Sequence, residues 1–351
     1  MKHIHRQMML VVITLSVLLV AGCRSSLPAG CPPDCISENL SGKDLSGVNL
    51  SKARLMDAKL IKTDLTKADL SGADLSGALV NEATLEGADL SDATLVGADF
   101  TKANLRNVLL GTADLRGAIL LDISMIEVDL TSVKLSGVTL DGAELISCDL
   151  RDIRLPGISI NNANISGSRL DGADLAGIKA SLSDLSGTSL EGVYLNGAFL
   201  NLTRFVGSEM MDVDLSGATM FGADLTGANL SDAELDGVIL IGASLNGADL
   251  RGADLTGALL VLPIPPGEEY ESYDELSGAP LLSDIGKTDL LKVLLDPLVL
   301  DLPEVQLKPL LKDASLQGVI YNDDTIWPIG FERPPSAVNL EKNHDFLQRS
   351  R

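Results

Sequence analysis

The chain has 351 residues, only 3% of them aromatic, against 33 glycines and a formal net charge of −22. So few large rings argue against ordinary compact domains, and three histidines leave little for His-dependent chemistry. Phosphate contacts require clustered Lys and Arg, so the acidic balance also argues against direct nucleic-acid binding.

The first 22 residues read as an export signal. Lys2 and Arg6 give a basic start, Met8 to Ala21 is apolar, and Gly22-Cys23 follows. A stretch of that length suits a signal peptide, whereas a bilayer span needs about 20 apolar residues. The run Leu19-Val20-Ala21-Gly22-Cys23 resembles a bacterial lipobox, with small residues before the cysteine that receives lipid. That resemblance implies a mature chain beginning at a lipidated Cys23 and held to a membrane by several acyl chains, as stable anchoring requires. The alternative is an ordinary secretory signal with an incidental cysteine. Loss of Lys2 and Arg6 takes the charge to −24. His3 and His5 leave with the signal, so only His344 remains for a His-based triad or zinc site.

Residues 23–37 form a tether and N-terminal cap, with Pro28, Pro32 and Pro33 against regular structure. Cys31 and Cys35 are either a small disulfide in an oxidising envelope or two free thiols. Cys148 sits at an inward position of the array below and reads as a small buried hydrophobe.

From Leu40 to Leu260 every fifth residue is apolar, 45 positions without a slip. Most are Leu; Phe100, Met125, Ile160, Phe205 and Met220 are among the exceptions, and Ala180 is the weakest. Two residues earlier stands a small or β-branched residue, usually Ala, and Asp or Asn often lies between. Ala73-Asp74-Leu75-Ser76-Gly77 is the ideal unit. A period of five fits neither helix nor strand, so the chain turns a corner at every unit. The invariably apolar column faces inward, because burying it is the large favourable term.

This pattern, at 38–262, resembles the pentapeptide-repeat family. The resemblance implies an all-β fold, a right-handed quadrilateral parallel β-helix with four pentads per coil. The sequence carries its own hint of the four-unit coil. Sorted into four rows of spacing 20, the residue two after the apolar position is Gly in 10 of 11 places in the row from Gly77 to Gly257. The other rows hold 7 of 11, 4 of 11 and 4 of 12, as if one corner demanded a positive φ. Asp or Glu precedes the apolar residue at 5, 6 and 6 of 11 sites in three rows but at one of 12, Asp99, in the fourth. About eleven coils at roughly 4.8 Å each make a rod on the order of 54 Å long, its bore filled with side chains.

Residues 263–335 are expected to form a partly helical capping segment, with an amphipathic helix at Asp284–Leu295 interrupted afterwards by prolines. The run Thr325-Ile326-Trp327-Pro328-Ile329-Gly330-Phe331 resembles the closing segment found after many pentapeptide arrays, which implies a terminal plug; a recognition role for Trp327 is the other reading. Residues 336–351 are expected to be a mobile tail.

The acid-poor row is the candidate interaction stripe. Leu79, Ile119, Phe199, Ile239 and Leu259 precede the inward residue there, and Ile61, Leu121, Phe221, Ile241 and Val261 follow it. An exposed apolar stripe on an acidic rod marks an interface. The competing reading has the Leu-rich C-terminal segment folding back over the half nearest to it.

Three function classes follow. The first is a non-enzymatic, lipid-anchored scaffold in the cell envelope, extracytoplasmic, with a protein partner or self-association. Arg24 after the cysteine leaves an outer-membrane placement open. The second is an acidic mimic of duplex DNA, as some members of the family are toward gyrase; rows such as Asp69, Asp89, Asp129 and Asp149 fit it and an export signal opposes it. The third, an enzyme, lacks paired carboxylates in a cleft or a phosphate loop, and no cofactor or metal site is indicated.

Overall fold

Each pentad brings five backbone N–H groups that need acceptors, and four find them on the backbone. The N–H of the inward residue donates one coil onward, as Leu40 N does to Lys59 O at 2.8 Å. The residue two later does the same, Gly42 N to Ile61 O at 2.9 Å. The residue before the inward one donates one coil back, Asp64 N to Lys43 O at 2.9 Å, and the residue before that closes the turn, Lys43 N to Leu40 O at 3.2 Å. The fifth N–H, just after the inward residue, has no backbone acceptor in this scheme.

A computed structural model describes residues 27–260, 316, 319–321, 325–327 and 338–339. Throughout the array the bonds above set residue i beside i+20 in parallel, from Asp34 beside Arg54 to Ile239 beside Leu259. Two neighbouring rungs extend into strands, β1 (Ser124–Ile126) and β2 (Glu144–Ile146), with Met125 opposite Leu145. The coil therefore closes every twenty residues and has four walls, named here by their first leucines: Leu40, Leu45, Leu50 and Leu55. Leu75, Leu95, Leu115 and Leu135 ride one wall and all are buried. The bore is filled by the inward residues and the small residues two before them, with Phe100 and Phe205 the largest. Such a leucine cut to alanine costs about 2–5 kcal/mol, so the unbroken column is the chief source of stability.

Three expectations need correction. The glycine-rich row does not mark a single positive-φ corner: the second residue after the inward one is left-handed in all four faces, including Lys52 (φ 56°), Asp152 (φ 57°) and Leu202 (φ 58°). One turn conformation serves nearly every corner; after Leu110 it is Gly111 (φ 50°) and not Thr112 that is left-handed. A side chain at Gly77 would come within 2.6 Å of Asp57 Oδ1, but one at Gly117 or Gly237 would meet nothing within 4 Å, so crowding alone does not explain why that row takes glycine more regularly than the others.

Second, the coil begins before residue 38. Cys35 is fully buried in phase with Leu40, its N–H donates to Arg54 O at 2.9 Å, and Asp34 pairs with Arg54. Cys31 and Cys35 are joined in a disulfide that closes this end of the bore, with Leu27 packed beside it.

Third, the tail is not wholly free. The strand β3 (Ile320–Tyr321) pairs in parallel with β4 (Val338–Asn339), which satisfies an edge that would otherwise stand open. Leu316 and Val319 join the core cluster, and Ile326 continues the ladder beside Asp254, with Ile326 N on Ala253 O at 2.9 Å and Leu255 N on Ile326 O at 2.8 Å. Thr325 Oγ1 donates to Leu250 O at 2.7 Å. Trp327 packs partly buried on the cluster with Tyr321 edge-on at 5.7 Å. These contacts are those of a plug. The export signal, Cys23 and the predicted helix at 284–295 lie outside the described residues.

Candidate interaction face

The unclaimed fifth N–H accounts for the aspartates. In three faces the side chain just before the inward residue accepts it: Ser71 N donates to Asp69 Oδ1 at 3.0 Å and its hydroxyl at 2.6 Å. Asp89 takes Ser91 N, Asp129 takes Thr131 N, and Asp149 takes Arg151 N with the guanidinium closing on the same carboxylate. Asn49 and Asn164 do the same without charge. These are Asx turns, and they are what Ala-Asp-Leu-Ser-Gly encodes. Charged partners and turn donors hold several of these carboxyls below the usual range: the Ser71 hydroxyl and N–H at Asp69, the Arg116 guanidinium at Asp114, the Arg151 guanidinium at Asp149.

The Leu40 face solves the same problem differently. Asp141 Oδ1 accepts Asn161 N at 2.7 Å, Asn161 Oδ1 accepts Ser181 N at 2.9 Å, and Asn201 Oδ1 accepts Phe221 N at 3.0 Å. Here the acceptor comes from the coil below and from the position after the inward residue. The ordinary turn persists on this face at Asn39, which accepts Ser41 N, and at Asp99, which accepts Thr101 N; elsewhere the preceding column carries few such acceptors, and Leu79, Ile119, Phe199, Ile239 and Leu259 stand in it.

The structure places the predicted stripe as follows. Leu79, Ile119 and Phe199 are each 37% exposed and Leu259 is 39%. Ile61, Leu121 and Ile239 are half-buried on the same face. Phe221 and Ile241 are not surface residues: each is 1% exposed, although neither belongs to the bore cluster. Stacking on adjacent rungs about 4.8 Å apart shields their flanks, and such complete burial means that their outward sides are shielded too. Val261 lies outside the described residues. Two residues missed in the sequence lie on this face, Leu182 (φ 62°) and Leu202 (φ 58°), both half-buried. Their signal was a bulky apolar side chain at a left-handed corner position that otherwise takes Gly or a polar residue, where left-handed backbone costs such a residue roughly 1–2 kcal/mol.

Cys148 is buried, donates its thiol to Met125 O at 3.2 Å, and burial pushes that thiol up to about 11, so it is an inert core group. Among the described residues no three His, Cys, Asp or Glu side chains stand where they could hold a metal ion, and no helix is long and apolar enough to cross a membrane.

The model of a family described as pentapeptide repeats matches eight copies, over residues 39–77, 68–107, 110–145, 140–177, 183–220 and 220–257. The chain belongs to the pentapeptide-repeat family. The four-walled parallel coil described above is the quadrilateral β-helix that these repeats build. Three solved structures are similar to it. HetL, involved in heterocyst differentiation regulation in Nostoc sp. strain PCC 7120, is 29% identical over 73% of this chain and 98% of its own, with a TM-score of 0.24. AT2G44920 from the Arabidopsis thaliana thylakoid lumen is 34% identical over 37% of this chain and 80% of its own, with a TM-score of 0.20. QnrB1, a plasmid-mediated fluoroquinolone resistance protein, is 21% identical over 60% of this chain and 85% of its own, with a TM-score of 0.26. No curated protein matches the chain.

Proposed function

We propose that this pentapeptide-repeat protein is a non-enzymatic interaction rod, exported and held to a membrane of the cell envelope through lipid on Cys23. Its working surface is the lower half of the Leu40 face. The observation that carries the reading is that Leu79 and Ile119 stand exposed, with Ile61 and Leu121 half-buried beside them, on the face poorest in acidic turn residues, where Asp99 alone stands between them. Spread over four rungs, three spacings or about 14 Å, these side chains are too few to make a whole interface of roughly 800 Å² per partner. They suit an anchor at its centre, with the polar neighbours Asn81, Thr101 and Lys102 forming the rim.

The Cys31–Cys35 disulfide supports an extracytoplasmic address, because such bonds persist in oxidising compartments. Mimicry of duplex DNA loses its sequence support, since Asp69, Asp89, Asp129 and Asp149 are placed by the hydrogen-bond demand of the turns. Cell fractionation tests the address: the unaltered protein is expected in the envelope and the Cys23→Ala variant released from it. An affinity pull-down from membranes tests the face: Ile119→Asp with Leu121→Asp abolishes capture of the partner while the rod stays folded. Capture undiminished by both substitutions overturns the assignment of the face.

A further inference from the structure

The column just after the inward residue on the Leu40 face changes character halfway along the rod. Ile61, Asn81, Thr101, Leu121 and Asp141 are half-buried, as outer-face residues stacked only above and below should be. From the next rung onward the same column is closed to solvent: Asn161 is 7% exposed, Ser181 and Asn201 0%, Phe221 and Ile241 1%. The local backbone is the same in both halves, with the following residue left-handed at Asp122, Asn162 and Leu202 alike. The backbone therefore does not account for the difference; Leu182 and Leu202 add bulk beside Ser181 and Asn201, but Phe221 and Ile241 are followed only by glycines and need another cover.

The chain itself ends its array on this column. Val261 is the next position after Ile241, and the polypeptide leaves the bore at Leu260 and rejoins it at Leu316, with Ile326 bridging the rung of Asp254. The 55 residues from 261 to 315 thus start and finish at the same end of the rod, beside the closed half of the face and far from Ile61. Their sequence is rich in leucine, with Leu290, Leu291, Leu294 and Leu295 at helical spacing, and broken by Pro297, Pro303 and Pro309. Two polar groups at the closed half, Asn201 Nδ2 and Thr219 Oγ1, are buried without a hydrogen-bond partner among the described residues. An occupant with proline-freed backbone carbonyls suits them better than a purely apolar one.

We propose that the closed half of the Leu40 face, centred on Phe221 and Ile241, is the docking surface for the chain's own segment 263–315. The column after the inward residue is thereby divided, its upper half satisfied within the molecule and its lower half left to another partner, while Phe199 and Leu259 in the preceding column stay exposed.

Trypsin digestion of the full-length protein tests this, since Lys287 and Lys292 lie in the segment. Phe221→Asp with Ile241→Asp should speed cleavage at these lysines roughly tenfold or more, by releasing the segment while the far-ultraviolet circular dichroism of the coil is retained. If the double variant fails to fold, Ile241→Thr alone should still give a severalfold acceleration. Ile119→Asp is the control and should leave the rate unchanged. Cleavage of the unaltered protein as fast as that of the variants overturns the proposal, and so does an acceleration by Ile119→Asp of equal size. A concentration-dependent dimer of the unaltered protein that dissociates on Phe221→Asp overturns it in favour of a second copy as the occupant.

Discussion

The Leu40 and Leu50 faces are built from the same backbone, with the same turn, the same rung spacing and the same buried leucine, and yet one is apolar outside and the other acidic. The Leu50 face meets the demand of its unpaired turn N–H groups locally, with Asp69, Asp89, Asp129, Asp149 and Asp249 just before the inward residue. The Leu40 face meets part of that demand from the coil below, through Asp141, Asn161 and Asn201. The acid rows are thus hydrogen-bonding hardware, and the face without them is where the surface is free to carry something else. Acidity on such a rod is a weak guide to function. A gap in the acidity is a better one.

The sharpest way to break that comparison is a pair of adjacent substitutions. Leu120→Asp buries a charge in the bore, where the residue is fully enclosed, and should prevent folding altogether. Ile119→Asp, one residue earlier and 37% exposed, should cost less than about 0.5 kcal/mol by urea denaturation. Equal costs would mean that the outer column is core. A smaller effect is expected on the Leu50 face, where Asp69→Ala leaves Ser71 N without its side-chain acceptor and should cost about 1 kcal/mol. Asp69→Asn should be close to neutral, because Asn49 already holds an equivalent turn in the same face. On the Leu40 face the equivalent loss comes from Asn161→Ala, which removes the acceptor of Ser181 N and should also cost about 1–2 kcal/mol. No cost there would mean that the face leaves its turn N–H groups to solvent.

The bore, the twenty-residue coil and the identity of the odd face were all legible, because each rests on a column that repeats. Burial of Leu75 or Leu120 follows from periodicity alone. The role of Asp69 was not legible, since a carboxylate in a regular row looks the same whether it faces a partner or closes a turn; only the count of backbone donors separates the two. Phe221 and Ile241 were read as surface because period and face are local properties, whereas their burial depends on what lies over the face. Cys35 was excluded from the array by its neighbouring prolines, although its phase with Leu40 was visible. Leu182 and Leu202 sit at the corner itself, outside the two columns that flank the inward residue and define the faces.

The smallest predicted effect is the response of the turn carboxylates to acid, which extends to the Leu40 face through Asp99, held below its ordinary value against its partial burial by Thr101 and Asn81. Asp69, Asp114 and Asp149 have carboxyls held below their ordinary value by Ser71, Arg116 and Arg151 respectively. A carboxyl whose folded-state pKa is depressed contributes stability that is fully present above its unfolded value, near pH 4, and is lost as pH falls through the folded value. Thermal melting of the protein should therefore be flat from neutral pH down to about 5 and decline below about 4. Asp69→Asn combined with Asp149→Asn keeps a turn acceptor at each site but cannot titrate, so it should shallow that decline without moving the neutral-pH midpoint by more than a degree or two. If the double exchange leaves the acid limb as steep as in the unaltered protein, the acid response does not come from these turn carboxylates, and the turns hold their acceptors without regard to charge.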